Sequence, residues 1–174
     1  LVMPILAAEA SVAAREAAAR VVPTLSALAG VTAIADCGRC LPSSLSPVVT
    51  QAAVVAVTIR QPSTSPRAAA AHLDRVRELV EALEARALPT VAVLIGEEPY
   101  RASEIAEFLA GGGAVTPVLV LADDPVGAAI VAGRTRVGRG FQRSHLARSA
   151  SAAASELAVR LVSSLSMDVE VGEP

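Results

Sequence analysis

The chain has 174 residues and a formal net charge of −2, and its composition is 53% hydrophobic but only 2% aromatic. That length suits one domain around a single core; the hydrophobicity excludes a disordered chain, and no apolar run reaches the roughly 18 residues of a membrane span. The near-neutral balance, with a pI of about 5.7, leaves no electrostatic footprint for nucleic acid.

The apolar content is Ala, Val and Leu, with no Trp, one Tyr and two Phe. Small aliphatic side chains let helices pack close to strands, which favours a layered α/β fold over an aromatic-cornered sandwich. All 15 basic residues are Arg. A Walker A loop needs a Lys to reach the β- and γ-phosphates, and a Schiff-base enzyme needs one as its nucleophile. By itself this chain supplies neither. The first residue is Leu1, which suggests a processed form or a fragment, and Leu1–Ala8 lacks the basic start and long apolar run of a signal peptide.

Val2–Leu6 reads as a short strand, and Glu9–Ala29 as an amphipathic helix interrupted near Pro23. Val31–Asp36 reads as a buried strand ending in an acid, followed by a Ser/Pro/Gly loop over Cys37–Pro47 and a short helix at Val48–Ala52. Ala53–Ile59 is β-branched and uncharged, as suits a strand covered on both faces. After a turn at Gln61–Pro66, Arg67–Ala87 places Leu73, Val76, Val80 and Leu83 on one helical face. Thr90–Ile95 reads as a strand, Gly96–Tyr100 as a loop, and Ala102–Ala110 as a helix closed by Gly111–Gly113. Val115–Leu121 is a strand, Asp124–Ala132 a short helix and Gly133–Arg143 a Gly/Arg loop. Ser144–Leu165 forms a last helix with a stripe through Leu146, Ala150, Ala153, Leu157, Leu161 and Leu165, and Ser166–Pro174 reads as an acidic flexible tail. Strands alternating with helices predict one domain over residues 1–165: a three-layer α/β/α sandwich with a mostly parallel sheet of about five strands.

Ligands in such sheets sit at the carboxyl ends of the strands. Four ends carry polar groups: Asp36–Arg39, Arg60–Ser65, Gly96–Tyr100 and Ala122–Pro125. Asp36 is placed to hold a Mg²⁺-bound water, or to cap its loop by accepting from Gly38 and Arg39. Cys37 and Cys40, the only cysteines, form a C-x-x-C. Pro42 follows too soon for a helix N-terminus to lower a thiol pKa. Only His72 and His145 remain as zinc ligands, at no usable spacing. Incidental reduced thiols are the simpler reading, a redox pair the alternative. Arg134, Arg136, Arg139 and Arg143 form a basic run that suits phosphates or an acidic partner, or a solvated loop. Glu97 and Glu98 are adjacent and do not face one another; the two His have no obvious partner, and a surface position suits both.

Taken together, VTAIADCGR, AVVAVTIRQPSTSPRAAAAHLDRV, TVAVLIGEEPYRASEIAEFL and VTPVLVLADDPVGAAIVAG resemble the later part of MinD/ParA-type P-loop ATPases, especially divergent actinobacterial forms. The resemblance covers roughly residues 1–165 and rests on the order of the motifs. It implies ATP and Mg²⁺, with Asp36 as the catalytic and metal-organising acid. It implies that Arg60, Gly96, Glu97, Asp123, Asp124 and Pro125 lie beside the nucleotide. Gly96–Glu97 falls where the family carries an adenine-reading Asn, and Ala122 where its turn carries Pro. The family's phosphate loop, first strand and membrane-targeting helix have no counterpart among these residues.

The reading that follows is the carboxyl-terminal part of a cytoplasmic MinD/ParA-like ATPase, its phosphate loop upstream, acting by nucleotide-dependent dimerisation to position or partition cargo. The alternatives are a degenerate, non-hydrolysing interaction module and a small α/β enzyme using Cys37 and Cys40. The expected partner is a second copy or another protein.

Overall fold

In a computed structural model, the structure describes residues 17, 20–25, 27–28, 30–39, 45, 47–62, 65–111, 116–138 and 140–170. The chain divides into two compact units, Leu1–Ala52 and Ala53–Pro174, where composition alone suggests one domain.

In the first unit, residues 20–25 are helical straight through Pro23, without the expected interruption. The Thr24 hydroxyl donates to the Arg20 carbonyl at 3.4 Å, placing a donor on the turn where Pro23 has no N–H. The expected buried strand at Val31–Asp36 is irregular and exposed: Val31 is 57% exposed and Ile34 95%. The chain leaves the preceding turn through Gly30 at φ +73°, and no strand among the described residues pairs with 31–36. An apolar run without a ladder partner has no way to satisfy its backbone as a strand. The short helix α1 (Pro47–Thr50) follows, with Val49 buried. Val2–Leu6 lies outside the described residues.

The second unit is built on β1 (Val55–Arg60), β2 (Thr90–Ile95) and β3 (Val118–Leu121), parallel and in the order β1-β2-β3. Helix α2 (Pro66–Glu84) joins β1 to β2, and α3 (Ala102–Ala110) joins β2 to β3. Then come α4 (Pro125–Val131), a 3-10 turn at Phe141–Arg143, and α5 (His145–Glu170). Among the described residues this is an α/β fold with an open parallel sheet of three strands, where periodicity suggests about five. The two crossovers run the same way across the sheet, so the right-handed rule sets α2 and α3 on one face, where they pack on each other. Helix α5 packs on β3.

β2 needs cover on both sides, because Val91 and Val93 point one way, Ala92 and Leu94 the other, and all four are buried. β1 differs from the expected two-sided burial. Its Val57 and Ile59 are buried, whereas Ala56, Thr58 and Arg60 are exposed. The helix on the second face lies over β3 and leaves that side of β1 bare.

Local chemistry explains the helices. Ser65 caps α2 by accepting from the Ala68 N–H at 3.3 Å, and Pro66 starts the first turn. The predicted stripe of Leu73, Val76, Val80 and Leu83, joined by Ala69, is buried. Helix α5 runs to Glu170, five residues into the segment expected to be a flexible tail. No Gly or Pro occurs between Phe141 and Val171, so nothing breaks the helix before Gly172. No helix among the described residues is long and apolar enough to cross a membrane.

Because Ile59 is fully buried, Ile59→Ala is expected to cost about 2–5 kcal/mol in urea denaturation. Ile34→Ala, at a 95% exposed position, is expected to change stability by no more than about 0.5 kcal/mol.

Candidate functional site

Parallel strands bring their carboxyl ends to one edge. The register pairs Arg60 with Ile95 and Ile95 with Leu121, so the residues that follow each strand are neighbours. Gly96 extends the ladder by donating its N–H to the Leu121 carbonyl at 2.9 Å. Its φ is +71°, and a Cβ there would stand 3.2 Å from the Asp123 Cβ. Glycine thus lets the loops after β2 and β3 close on each other. Across the same edge Arg60 Nη2 reaches Asp123 Oδ1 at 3.3 Å, an ion pair between two exposed side chains. Solvent screening leaves such a pair worth about 0–1 kcal/mol.

The loop after β2 is anchored by Gln61, only 6% exposed. Its Nε2 donates to the Tyr100 carbonyl at 2.6 Å, and its Oε1 accepts from the Tyr100 N–H at 3.1 Å. One primary amide thereby satisfies both polar groups of a backbone residue 39 positions away. Glu97 Oε1 accepts from the Ala102 N–H at 3.3 Å, and Glu104 Oε2 from the Arg101 N–H at 2.7 Å. Both carboxylates sit at the positive end of α3.

Asp124 joins two helices. Its Oδ1 accepts from the Gly127 N–H at 2.9 Å, capping α4, and its Oδ2 accepts from the Leu146 N–H at 3.4 Å, in the first turn of α5. The Gly127 N–H foremost, with those of Leu146 and Val126, holds its carboxyl below the ordinary value of 3.8 against the cost of desolvation, and the nearby His145 adds a last, smaller contribution. Ser149 makes a second stitch. Its hydroxyl accepts from the Ala122 N–H at 3.0 Å and lies 2.9 Å from the His145 carbonyl, to which it donates. The end of β3 is therefore fastened to the first turns of α5.

Between these parts lies an open cleft of about 550 Å³, within the usual size range of ligand sites. Gly96 and Glu97 form one wall, Leu121 and Ala122 the floor, and His145 and Arg148 the wall contributed by α5. Arg148 Nη2 stands 3.4 Å from His145 Nδ1.

Of the residues singled out in the sequence, Gly96 and Glu97 line the cleft, Arg60 and Asp123 pair along the same edge, and Asp124 and Pro125 begin α4. Asp36 belongs to the first unit. There it is exposed, and its Oδ1 accepts from the Gly38 N–H at 2.9 Å. Burial and the Asp36 charge push the Cys37 thiol above its usual range, which disfavours the thiolate. Cys40 lies outside the described residues, as does Arg139. Among the described residues no group of three or more His, Cys, Asp or Glu is arranged to hold a metal. The sequence reading missed Gln61, Arg148 and Ser149, and set His145 on the surface without a role. The available signal was Ser144 opening a long helix, which marks the cap and hence the first turn that faces the strand ends.

No protein-family model, curated protein or solved structure matches the chain.

Gly96→Ala forces a left-handed backbone on a residue with a Cβ and is expected to lower stability by about 1–2 kcal/mol in thermal unfolding. The depressed Asp124 carboxyl contributes stability that is fully present above the ordinary value of 3.8 and lost as pH falls through its lower folded value. Asp124→Asn keeps an acceptor for Gly127 and removes the titration, so the drop in stability below that pH should be shallower in a pH series of denaturant melts.

Proposed function

We propose that this chain is the carboxyl-terminal part of a MinD/ParA-like ATPase, with its phosphate loop upstream, which uses nucleotide-dependent dimerisation in the cytoplasm to position or partition cargo. The observation that supports this reading is the convergence of three loops at one edge of a parallel sheet, bearing Arg60, Gly96–Glu97 and Asp123–Asp124. Those are segments through which the sequence resembles that family, and open α/β sheets bind nucleotides at that edge. On this reading the whole domain is a three-layer α/β/α sandwich of about five strands. The cleft beside Gly96 takes the base, and Arg60, Asp123 and Pro125 flank the nucleotide. The phosphate-binding Lys comes from upstream sequence, since these residues include none. Asp36 offers one hard oxygen ligand, of the kind that Mg²⁺ combines with phosphate oxygens and waters; the cation would neutralise phosphate charge. A second reading, a non-hydrolysing interaction module, is favoured by the absence of Lys if no phosphate loop precedes these residues.

The test is the natural polypeptide, its intact mass determined first, assayed for nucleotide binding, phosphate release and dimerisation with ATP and Mg²⁺. Hydrolysis that falls roughly a hundredfold in Asp36→Ala, as expected on losing one positioned catalytic group, supports the first reading. Absence of both binding and hydrolysis supports the non-hydrolysing interaction module and overturns the nucleotide reading, and binding without turnover overturns the hydrolytic role.

A further inference from the structure

We infer that the Arg-rich loop ahead of α5 binds the acidic far end of α5 in a second copy of this chain, so that copies associate head to tail. The inference is independent of the nucleotide reading. It is carried by two blocks of opposite charge that the fold holds at opposite ends of one helix.

Residues 125–155 contain five Arg and no Asp or Glu. Residues 161–174 contain Asp168, Glu170 and Glu173 and no basic residue. On α2, by contrast, the two signs are interleaved, and Arg77 pairs with both Asp74 and Glu81. In the basic block, Arg134, Arg136 and Arg143 are exposed, and none of the three forms an ion pair among the described residues. Val131 and Val137 beside them are 70% and 73% exposed. A basic surface with apolar points between its charges is complementary to a segment in which acids stand among apolar residues. Residues 167–171 read Met, Asp, Val, Glu, Val.

The fold keeps the two blocks apart within one molecule. Arg143 lies two residues before α5 begins at His145. The Arg134 N–H donates to the Ala129 carbonyl at 2.9 Å, which fastens it to the end of α4. That helix starts at Pro125, next to the Asp124 carboxylate that accepts from Leu146. Both ends of the loop are therefore tied back to the first turn of α5. Glu170 ends α5 about 37 Å from His145, at roughly 1.5 Å per residue. Beyond it, Glu173 adds a reach of about 10 Å even when the chain is fully extended. The acids at the end of α5 cannot turn back to neutralise the loop of their own molecule. A second copy supplies them without that constraint, and opposite charge draws the two patches together. Because loop and helix end are different patches, each pairing leaves one of each free, so copies add on in a chain or close into a ring.

The test is sedimentation velocity of the natural polypeptide without nucleotide, over a series of concentrations at about 0.05 M and about 0.5 M salt. The expected weight-average mass rises with concentration at the lower salt. It falls back to that of the monomer at the higher, where screening shortens the reach of exposed charges to a few Å. Arg134→Glu with Arg136→Glu should abolish the rise, and so should Asp168→Arg with Glu170→Arg. The first variant keeps the acidic helix end and the second keeps the basic loop. An equimolar mixture should therefore recover the association that neither shows alone. A protein that stays monomeric at low salt overturns the inference, as does association that either variant leaves intact, or a mixture that remains monomeric. Nucleotide binding is a separate measurement, so none of these failures bears on the nucleotide reading.

Discussion

The carboxylate of Asp124 accepts from the first turns of two different helices, and much of the second unit depends on that shared acceptor. Gly127 and Leu146 are far apart in sequence, joined by a Gly- and Arg-containing loop that has little apolar surface to hold it. Two charge-assisted bonds define where α4 ends its approach and α5 begins its own. Ser149 repeats the idea with a neutral group, tying the Ala122 N–H to the same helix. The cleft exists because β3 and α5 are held at this distance. Its walls are side products of how two helix starts and one strand end satisfy their backbone groups.

Where periodicity was strong, the fold was legible to the residue. Thr90–Ile95 and Ala102–Ala110 are the observed bounds of β2 and α3, and the α2 stripe is the stripe that is buried. Val31–Asp36 shows the limit of the same reasoning. Its composition suits a covered strand, yet strand preference is a preference for neighbours, and none pairs with it among the described residues. The end of α5 was misjudged for the reverse reason: acidic residues suggested a tail, although nothing in them stops a helix. In the site, Gly96, Glu97, Asp123 and Asp124 were found because they directly follow apolar strands. Gln61 and Ser149 were not, because their partners are backbone groups distant in sequence, and a residue type alone does not announce such a bond.

Helix α5 has a mechanical consequence. Its 26 residues form a rod of about 39 Å, at roughly 1.5 Å per residue. Its first turns are fixed by Asp124 and Ser149, and that end also walls the cleft. An occupant of the cleft would therefore touch the first turns of a helix that runs on for about seven turns, at 3.6 residues per turn.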